Sequence, residues 1–379
     1  MRVLCRLSEL GRLRSCTLAS LSRIRGVIGS RNVNIALVFL ALFWAIARSG
    51  VGVYPALGWY LPIVSKWPER STAEFEGYLS DSPVGIILAN ALGAESEKGF
   101  LILSFFTSVA SLIALAIWVA LQLETAEKWR GARLAVLAPV GVVLFTWIGS
   151  YDAFTVASWA IILFAWSYGS RLLFILSGAL LGFQHFEHAV FGVVILTIVW
   201  FALKDGLPNR FTERNPAWLL IGLIAGRLVL EVIFRLSGES GNGRSEWIIS
   251  FIVEWNKTGL NIAPQLLWSL FAGSWIVVFL LILSRCNKKI ILYFAAAFSV
   301  GIVALLASGD RPRVFILVFF PALLIMIVVL LRSSDVSLRE KRIVEIIVWI
   351  APPLIFWGKE VANTNVIDLG TMLIQKLYS

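Results

Sequence analysis

The sequence predicts an all-α polytopic membrane bundle of about eleven transmembrane segments, with juxtamembrane helices on its outer face. Three observations lead there. Of the 379 residues, 59% are hydrophobic and 15% charged, with a mean hydropathy of +0.84. A soluble domain is about 45–50% apolar and about 25% charged. So little charge cannot coat a water-soluble surface of this size, which excludes the soluble enzyme classes. Second, the apolar residues gather in runs approaching the roughly 20 residues a helix needs to cross hydrocarbon. Third, basic residues concentrate on alternate connections, as the positive-inside rule demands.

The eleven segments are 33–47, 100–121, 134–148, 154–167, 172–183, 189–203, 218–234, 264–284, 290–307, 314–331 and 343–358. Several are too short to cross about 30 Å of hydrocarbon as straight helices, so their ends run into the connections or re-enter the membrane. Segment 172–183 is the weakest. Residues 1–32 read as a basic cytoplasmic arm with seven Arg and one acid, Glu9. A transit peptide has the same composition. The arm is preferred because it obeys the charge rule of the other inner loops. With this terminus in the cytoplasm, inner segments hold 21 Lys and Arg against 7 acids, and outer segments 11 against 14. The net charges of +14 inside and −3 outside account for the basic balance without nucleic acid. An odd count places the tail 359–379 outside. Cys5, Cys16 and Cys286 fall inside, where thiols stay reduced, and no disulfide is expected. The expected location is a bacterial inner membrane.

The inner loops are short and carry no phosphate-binding motif, which argues against a nucleotide-driven pump. Polar mass collects outside, in loops 48–99 and 235–263 of the bundle 33–358 and in the tail. In the first loop Trp59, Tyr60, Leu61 and Trp67 suit the membrane interface, and Pro55, Pro62 and Pro68 divide the chain into short pieces. Ser71 with Glu74 three residues on forms a capping-box pattern for a helix over 71–79. Asp81-Ser82-Pro83 stops the chain, and Pro83 opens an apolar helix over 84–92. In the second loop, Trp247, Phe251 and Trp255 mark an interfacial helix over 246–255. Asn256-Lys257-Thr258 matches a glycosylation acceptor, without meaning in a bacterial host.

Five constellations suit chemistry at the outer face. His185 and His188, the only histidines, stand at i and i+3 in Gln184-His185-Phe186-Glu187-His188, with Glu187 pointing off their shared helix face. They suit proton transfer, a phosphate clamp or two metal ligands; a third metal ligand is missing, and no metal site is assigned. Asp152 follows Gly149-Ser150-Tyr151 in a short turn and suits a general base or a helix cap. Ser308-Gly309-Asp310-Arg311-Pro312-Arg313 places two guanidiniums where the charge rule disfavours them, and Arg forks suit phosphate. Asp310 is the ready partner of either Arg. Arg227 and Glu231, at i and i+4 inside a span, should face the bundle interior or a cavity. Among the acids of the first loop, Glu69, Glu74, Glu76 and Asp81, the turn residue Asp81 is the best candidate base.

A long first outer loop with juxtamembrane helices, and the stretch Tyr78-Leu79-Ser80-Asp81-Ser82-Pro83, resemble the membrane glycosyltransferases of the GT-C type. No acidic pair follows the first span, and the first acid there is Glu69. Asp310-Arg311-Pro312-Arg313 makes the chain similar also to O-antigen polymerases, whose outer arginines bind lipid pyrophosphate. The resemblance implies sugar transfer or polymerisation from a polyprenyl-phosphate donor to a glycan acceptor, among membrane lipids and without nucleic acid. Asp81 or Asp152 would then be the base, Arg311 and Arg313 would hold phosphate, and His185 and His188 would assist. No cofactor is implied, with a divalent cation left open. A transporter or flippase lined by Arg227 and Glu231, or a noncatalytic membrane subunit, are the alternatives.

Overall fold

The computed structural model describes residues 31–69, 77–124, 127–168, 170–212, 214–239, 263–285, 287–307, 311–354, 356–357 and 360–361. The basic arm before residue 31, the start of the expected helix over 71–79, the helix over 246–255, the acceptor Asn256, all three cysteines, Asp310 and nearly all of the tail lie outside the described residues. The described chain is helical, apart from a two-residue antiparallel ladder of β1 (Phe356–Trp357) with β2 (Glu360–Val361).

The helices in order are α1 (Arg31–Ser49), α2 (Leu57–Lys66), α3 (Pro83–Leu92), α4 (Glu97–Leu121), α5 (Lys128–Val136), α6 (Val140–Thr146), α7 (Asp152–Tyr168) and α8 (Arg171–Leu203). There follow α9 (Asn209–Thr212), α10 (Leu219–Leu236), α11 (Ala263–Phe271), α12 (Trp275–Arg285), α13 (Lys288–Leu306), α14 (Arg311–Arg332) and α15 (Leu338–Ile350). Among the described residues seven helices, some extended by short 3₁₀ turns, are long and apolar enough to cross a membrane, or eight if the bent pair α5 and α6 forms one span. The protein is a multi-pass membrane protein.

Among the described residues the count of eleven segments of membrane length is not confirmed, and the differences have local causes. The expected span 134–148 is broken into α5 and α6 by a 41° bend, where Pro139 lacks the N–H a continuous helix needs. Helix α7 has only 17 residues. The last expected span stops early, because α15 ends at Ile350 ahead of Pro352 and Pro353. Pro62, by contrast, does not divide the first loop; α2 runs through it.

Segments 172–183 and 189–203 join into the 33-residue α8, which is broken at His185, where φ is −162° and ψ is 80°. The break is a reversal. Phe174 on the first arm stacks on Trp166 at 6.1 Å, Trp166 meets Phe211 at 4.9 Å, and the Phe211 carbonyl accepts from Trp200 Nε1 on the second arm at 2.8 Å. In a straight helix Phe174 and Trp200 would be about 39 Å apart. So α8 is a hairpin with its tip at Gln184-His185.

Helix α14 is the centre of the bundle. Every residue of its span window is buried, whereas no other window exceeds 50%. Val314 to Leu331 is apolar throughout, which suits a helix surrounded by helices on all sides. Phe315 and Phe319 stack at 5.2 Å and take the edge of Phe271 at 5.3 and 4.9 Å, while Phe320 meets Trp159 at 6.3 Å.

Lys128, Arg171, Lys204, Arg285, Lys288 and Arg332 lie at helix ends away from the hairpin tip. Here Glu345 of α15 accepts from Arg130 Nε at 3.1 Å and Arg133 Nε at 2.5 Å of α5, and Arg332 Nη1 donates to the Gln122 carbonyl at 3.2 Å.

Two helices approach with almost no space between them. A Cβ on Gly222 or Gly226 of α10 would lie 2.1 Å from the Ile175 oxygen or 2.0 Å from the Ala179 oxygen of α8. One on Gly182 of α8 would lie 2.2 Å from the Leu223 oxygen. Small residues four apart on both helices let the backbones touch, the usual device for packing helices in lipid.

Candidate functional site

The turn before α7 is built for tightness. Gly149 takes φ +90°, a conformation L side chains avoid, and its N–H donates to Ser104 Oγ of α4 at 2.8 Å. The chain after α1 lies alongside this turn: Gly52 N donates to the Phe145 carbonyl at 3.1 Å, Tyr54 N to Ile148 O at 2.9 Å, and Ile148 N to Gly52 O at 2.9 Å. Pairing backbone groups with backbone here satisfies donors and acceptors that would otherwise be costly near hydrocarbon. The first outer loop is thereby fixed against the Asp152 turn. Ser104→Ala removes the acceptor of a buried N–H. It should cost about 1–3 kcal/mol of stability, read as a lowered thermal midpoint of the purified protein in detergent; an unchanged midpoint would show that the turn holds without it.

On this platform sits Arg313, buried at the start of the central helix α14. Its Nη1 is 3.1 Å from Asp152 Oδ2 and its Nη2 is 3.2 Å from Tyr151 Oη. Three rings surround the guanidinium carbon, Trp147 at 5.1 Å, Tyr151 at 5.5 Å and Tyr54 at 5.9 Å. Cation–π attraction and the carboxylate together offset the cost of burying this charge. Asp152 is also buried. Arg313 and Asp152 thus engage each other in this structure; the sequence offered Asp152 as a general base or helix cap and Arg313, with Arg311, as a phosphate fork.

The α8 hairpin tip covers the same turn. The Gln184 side chain joins three segments. Its Nε2 donates to the Tyr151 carbonyl at 3.1 Å and to Thr155 Oγ1 at 3.3 Å, and its Oε1 accepts from Val84 N at 2.9 Å. His185 is buried beside the Tyr151 ring at 5.3 Å, and the half-buried His188 stacks on His185 with centroids 3.6 Å apart. Glu187 does not point away as a regular helix would require. The non-helical backbone at His185 turns the chain so that Glu187 Oε2 lies 3.7 Å from His185 Nδ1.

Asp81, Arg227 and Glu231 form an adjoining group. Asp81 ends a 3₁₀ turn over Gly77–Asp81, which takes the place of the last residues of the helix expected over 71–79, and its carboxylate is buried. Arg227 Nη1 reaches Asp81 Oδ2 at 3.3 Å, and its Nη2 reaches Glu231 Oε1 at 2.6 Å. As expected, Pro83 opens α3, which packs Gly85 against Phe154. Tyr60 links the two groups, donating to the Ser82 carbonyl at 3.2 Å while its ring lies 6.4 Å from that of Tyr151.

Asp81, Asp152, His185, His188, Arg227, Glu231 and Arg313, from five separate stretches of sequence, therefore gather at one end of the bundle. Arg311 begins α14 at that end; its side chain, like Asp310 as a whole, is not described. Of these side chains Asp81, Asp152, His185 and Arg313 are closed off, while His188, Arg227 and Glu231, with Glu187, reach the surface. Tyr54, Ser104, Tyr151, Gln184 and the Glu187 contact were not singled out from sequence. Tyr151 and Gln184 stand inside the quoted motifs, but nothing in their spacing marks them as hubs. Among the described residues no group of three His, Cys, Asp or Glu side chains could hold a metal.

Beneath this end, a groove of about 750 Å³ runs between α4, α7 and the first arm of α8, lined by Thr107, Ala110, Ala157, Ala160, Leu176 and Leu180 among others. Its serine and threonine hydroxyls are satisfied within their own helices, Thr107 by the Leu103 carbonyl at 2.8 Å, Ser111 by that of Thr107 at 2.7 Å and Ser177 by that of Phe174 at 2.8 Å. The wall is therefore apolar. Ile161, Leu173 and Leu176 on it are half-exposed, so it opens sideways. Its near end is about 6–8 Å below the polar cluster, since Ala157 lies five residues beyond Asp152 and Leu180 four before Gln184.

No family model matches the chain, and no curated protein or solved structure matches it either. The site has to be read from its own chemistry.

Proposed function

We propose that the protein is an integral membrane glycosyltransferase or glycan polymerase, taking a sugar from a polyprenyl-phosphate carrier at the outer face of a bacterial inner membrane for envelope polysaccharide assembly. The observation that carries this reading is a polar, partly open cluster at one end of the bundle, placed directly above an apolar groove that opens to lipid. A polar head joined to a long hydrocarbon chain has that shape and that polarity. The central helix argues against passage. Below Arg313, α14 presents only buried apolar side chains down to Leu331, so no polar path follows it across the membrane. Basic side chains crowd the opposite end, which supports a cytoplasmic N-terminus and an outward site.

In this reading the buried Arg313–Asp152 pair organises the floor of the site. Arg311 at the first position of α14, with Arg227 at the edge, meets the phosphate, for which a guanidinium fork is well suited. The test is Arg311→Ala in the native host, with lipid-linked and mature surface glycan followed on gels and membrane insertion checked in parallel. Loss of mature glycan with the lipid-linked intermediate trapped on the outer leaflet is the expected result. Trapping on the inner leaflet would instead make the protein a transporter, and unchanged glycan would remove the phosphate role of Arg311.

A further inference from the structure

Arg48, in the last turn of α1, takes no part in the cluster described above, yet it is a charge buried inside the bundle. Such a charge has to be justified by what it does. Its guanidinium reaches two backbone carbonyls: Nη1 donates to Val348 O of α15 at 2.7 Å, and Nη2 donates to Leu137 O at the end of α5. One helical turn before it, on the same face of α1, Trp44 Nε1 donates to Trp349 O at 2.8 Å.

These three carbonyls share a cause. In a continuous helix Val348 and Trp349 would accept from residues 352 and 353, but both are proline and have no N–H. Around Pro139 the bonds tighten from four residues to three. Gly141 N donates to Ala138 O at 3.0 Å and Val142 N to Pro139 O at 3.0 Å, so the Leu137 carbonyl is passed over. Carbonyls left unpaired away from water are costly, and irregular backbone at this depth is tolerated only where protein supplies the partners. A third interruption closes on the same place. Between α11 and α12 the chain turns at Ala272, with φ +45°, and a Cβ on Gly273 would lie 2.7 Å from Ala351 Cβ and 2.9 Å from Ile347 O. A guanidinium suits this junction because it carries donors only, in a rigid fork that serves two carbonyls at once. A neutral amide of similar reach would bring an acceptor with it.

We propose that Arg48 is a positioning residue of the site: it supplies donors that prolines remove from two other helices, and thereby sets the bend from which α6 carries the Trp147–Asp152 turn to Arg313. Helix α1 and the chain after it grip both ends of α6. Arg48 holds Leu137 ahead of it, and Ser49 O accepts from Thr146 Oγ1 at 3.2 Å at its end. The backbone of 52–54 then pairs with that of Phe145 and Ile148. Two residues further on is Ser150, and beyond it Tyr151 and Asp152, which engage Arg313. The assignment concerns the placing of the turn and does not depend on the reaction carried out there.

The test is hydrogen exchange read by mass spectrometry on the full chain in lipid nanodiscs, for Arg48→Met, the milder Arg48→Lys and the control Trp44→Phe. In Arg48→Met the amides of 50–54 and 145–152 should exchange about tenfold faster or more, while those of 175–183 and 222–230, where α8 meets α10, keep their wild-type rates. Arg48→Lys keeps the charge but not the fork, so it should fall between, and it carries the same comparison if Arg48→Met does not insert. Trp44→Phe removes a donor to α15 alone and should loosen 347–351 while sparing 145–152. Rates raised evenly through every helix would make Arg48 a general stabiliser and overturn the proposal, as would unchanged rates over 145–152 in both Arg48 variants. A crossed pair tests the cause. Pro352→Ala gives back the N–H that Val348 lacks, so the fall in thermal midpoint caused by the Arg48 substitution should shrink by about half in that background. An equal fall in both backgrounds would overturn the role of Arg48 as donor to the carbonyls that proline leaves unpaired.

Discussion

Arg313→Ala should lose about 3–5 kcal/mol of folding stability, seen as a large drop in the thermal midpoint of the purified protein. The change strips a buried carboxylate of its cation, 3.1 Å away, and empties the space between three aromatic rings. Arg313→Lys keeps the charge but loses the fork that spans Asp152 and Tyr151, so it should fall between wild type and Arg313→Ala. The informative variant is the double change Asp152→Leu with Arg313→Met. Two apolar side chains of similar volume remove both charges together, and buried ion pairs replaced in this way often cost little. We expect the double variant to regain most of the lost stability while mature glycan stays absent. If glycan returned with stability, the pair would be a structural strut and nothing more. If Arg313→Ala were as stable as wild type, the energetic reading of the aromatic cage would be wrong.

Gly226→Leu should separate α10 from α8. Ordinary van der Waals contact starts near 3.4 Å, and a Cβ here would fall 2.0 Å from a carbonyl oxygen. The helices must therefore part by more than an ångström, which also pulls Arg227 away from Asp81, now at 3.3 Å. Gly226→Ala alone should cost about 1–3 kcal/mol, as overpacking does, and the leucine more. Gly58→Ala is the matched control, since a Cβ there meets nothing within 4 Å on helix α2. It should be neutral or slightly stabilising, because alanine loses less backbone freedom than glycine on folding. Equal midpoints for the two alanine variants would show that the α8–α10 contact is looser than described.

By itself the sequence determined the class of protein, most of its helical segments and most of the polar residues that gather in the candidate site. Those follow from local physics. Apolar composition and run length report on the solvent, Pro83 reports a helix start, and a charge such as Arg227 in an apolar run reports a site or a partner because nothing else justifies its cost. The expected pair Arg227–Glu231 is present. Composition and spacing do not carry what depends on how helices meet. Asp81 is 146 residues from Arg227, and Asp152 is 161 from Arg313; no local pattern announces either pair. The two spans expected over 172–183 and 189–203 are present as the arms of one hairpin, but the apolar pattern does not show that a single non-helical residue, His185, makes the break. That same residue redirects Glu187, which helical periodicity pointed the other way. The open or closed state of each acid was likewise decided by tertiary packing, since exposure depends on neighbours that arrive from distant parts of the chain.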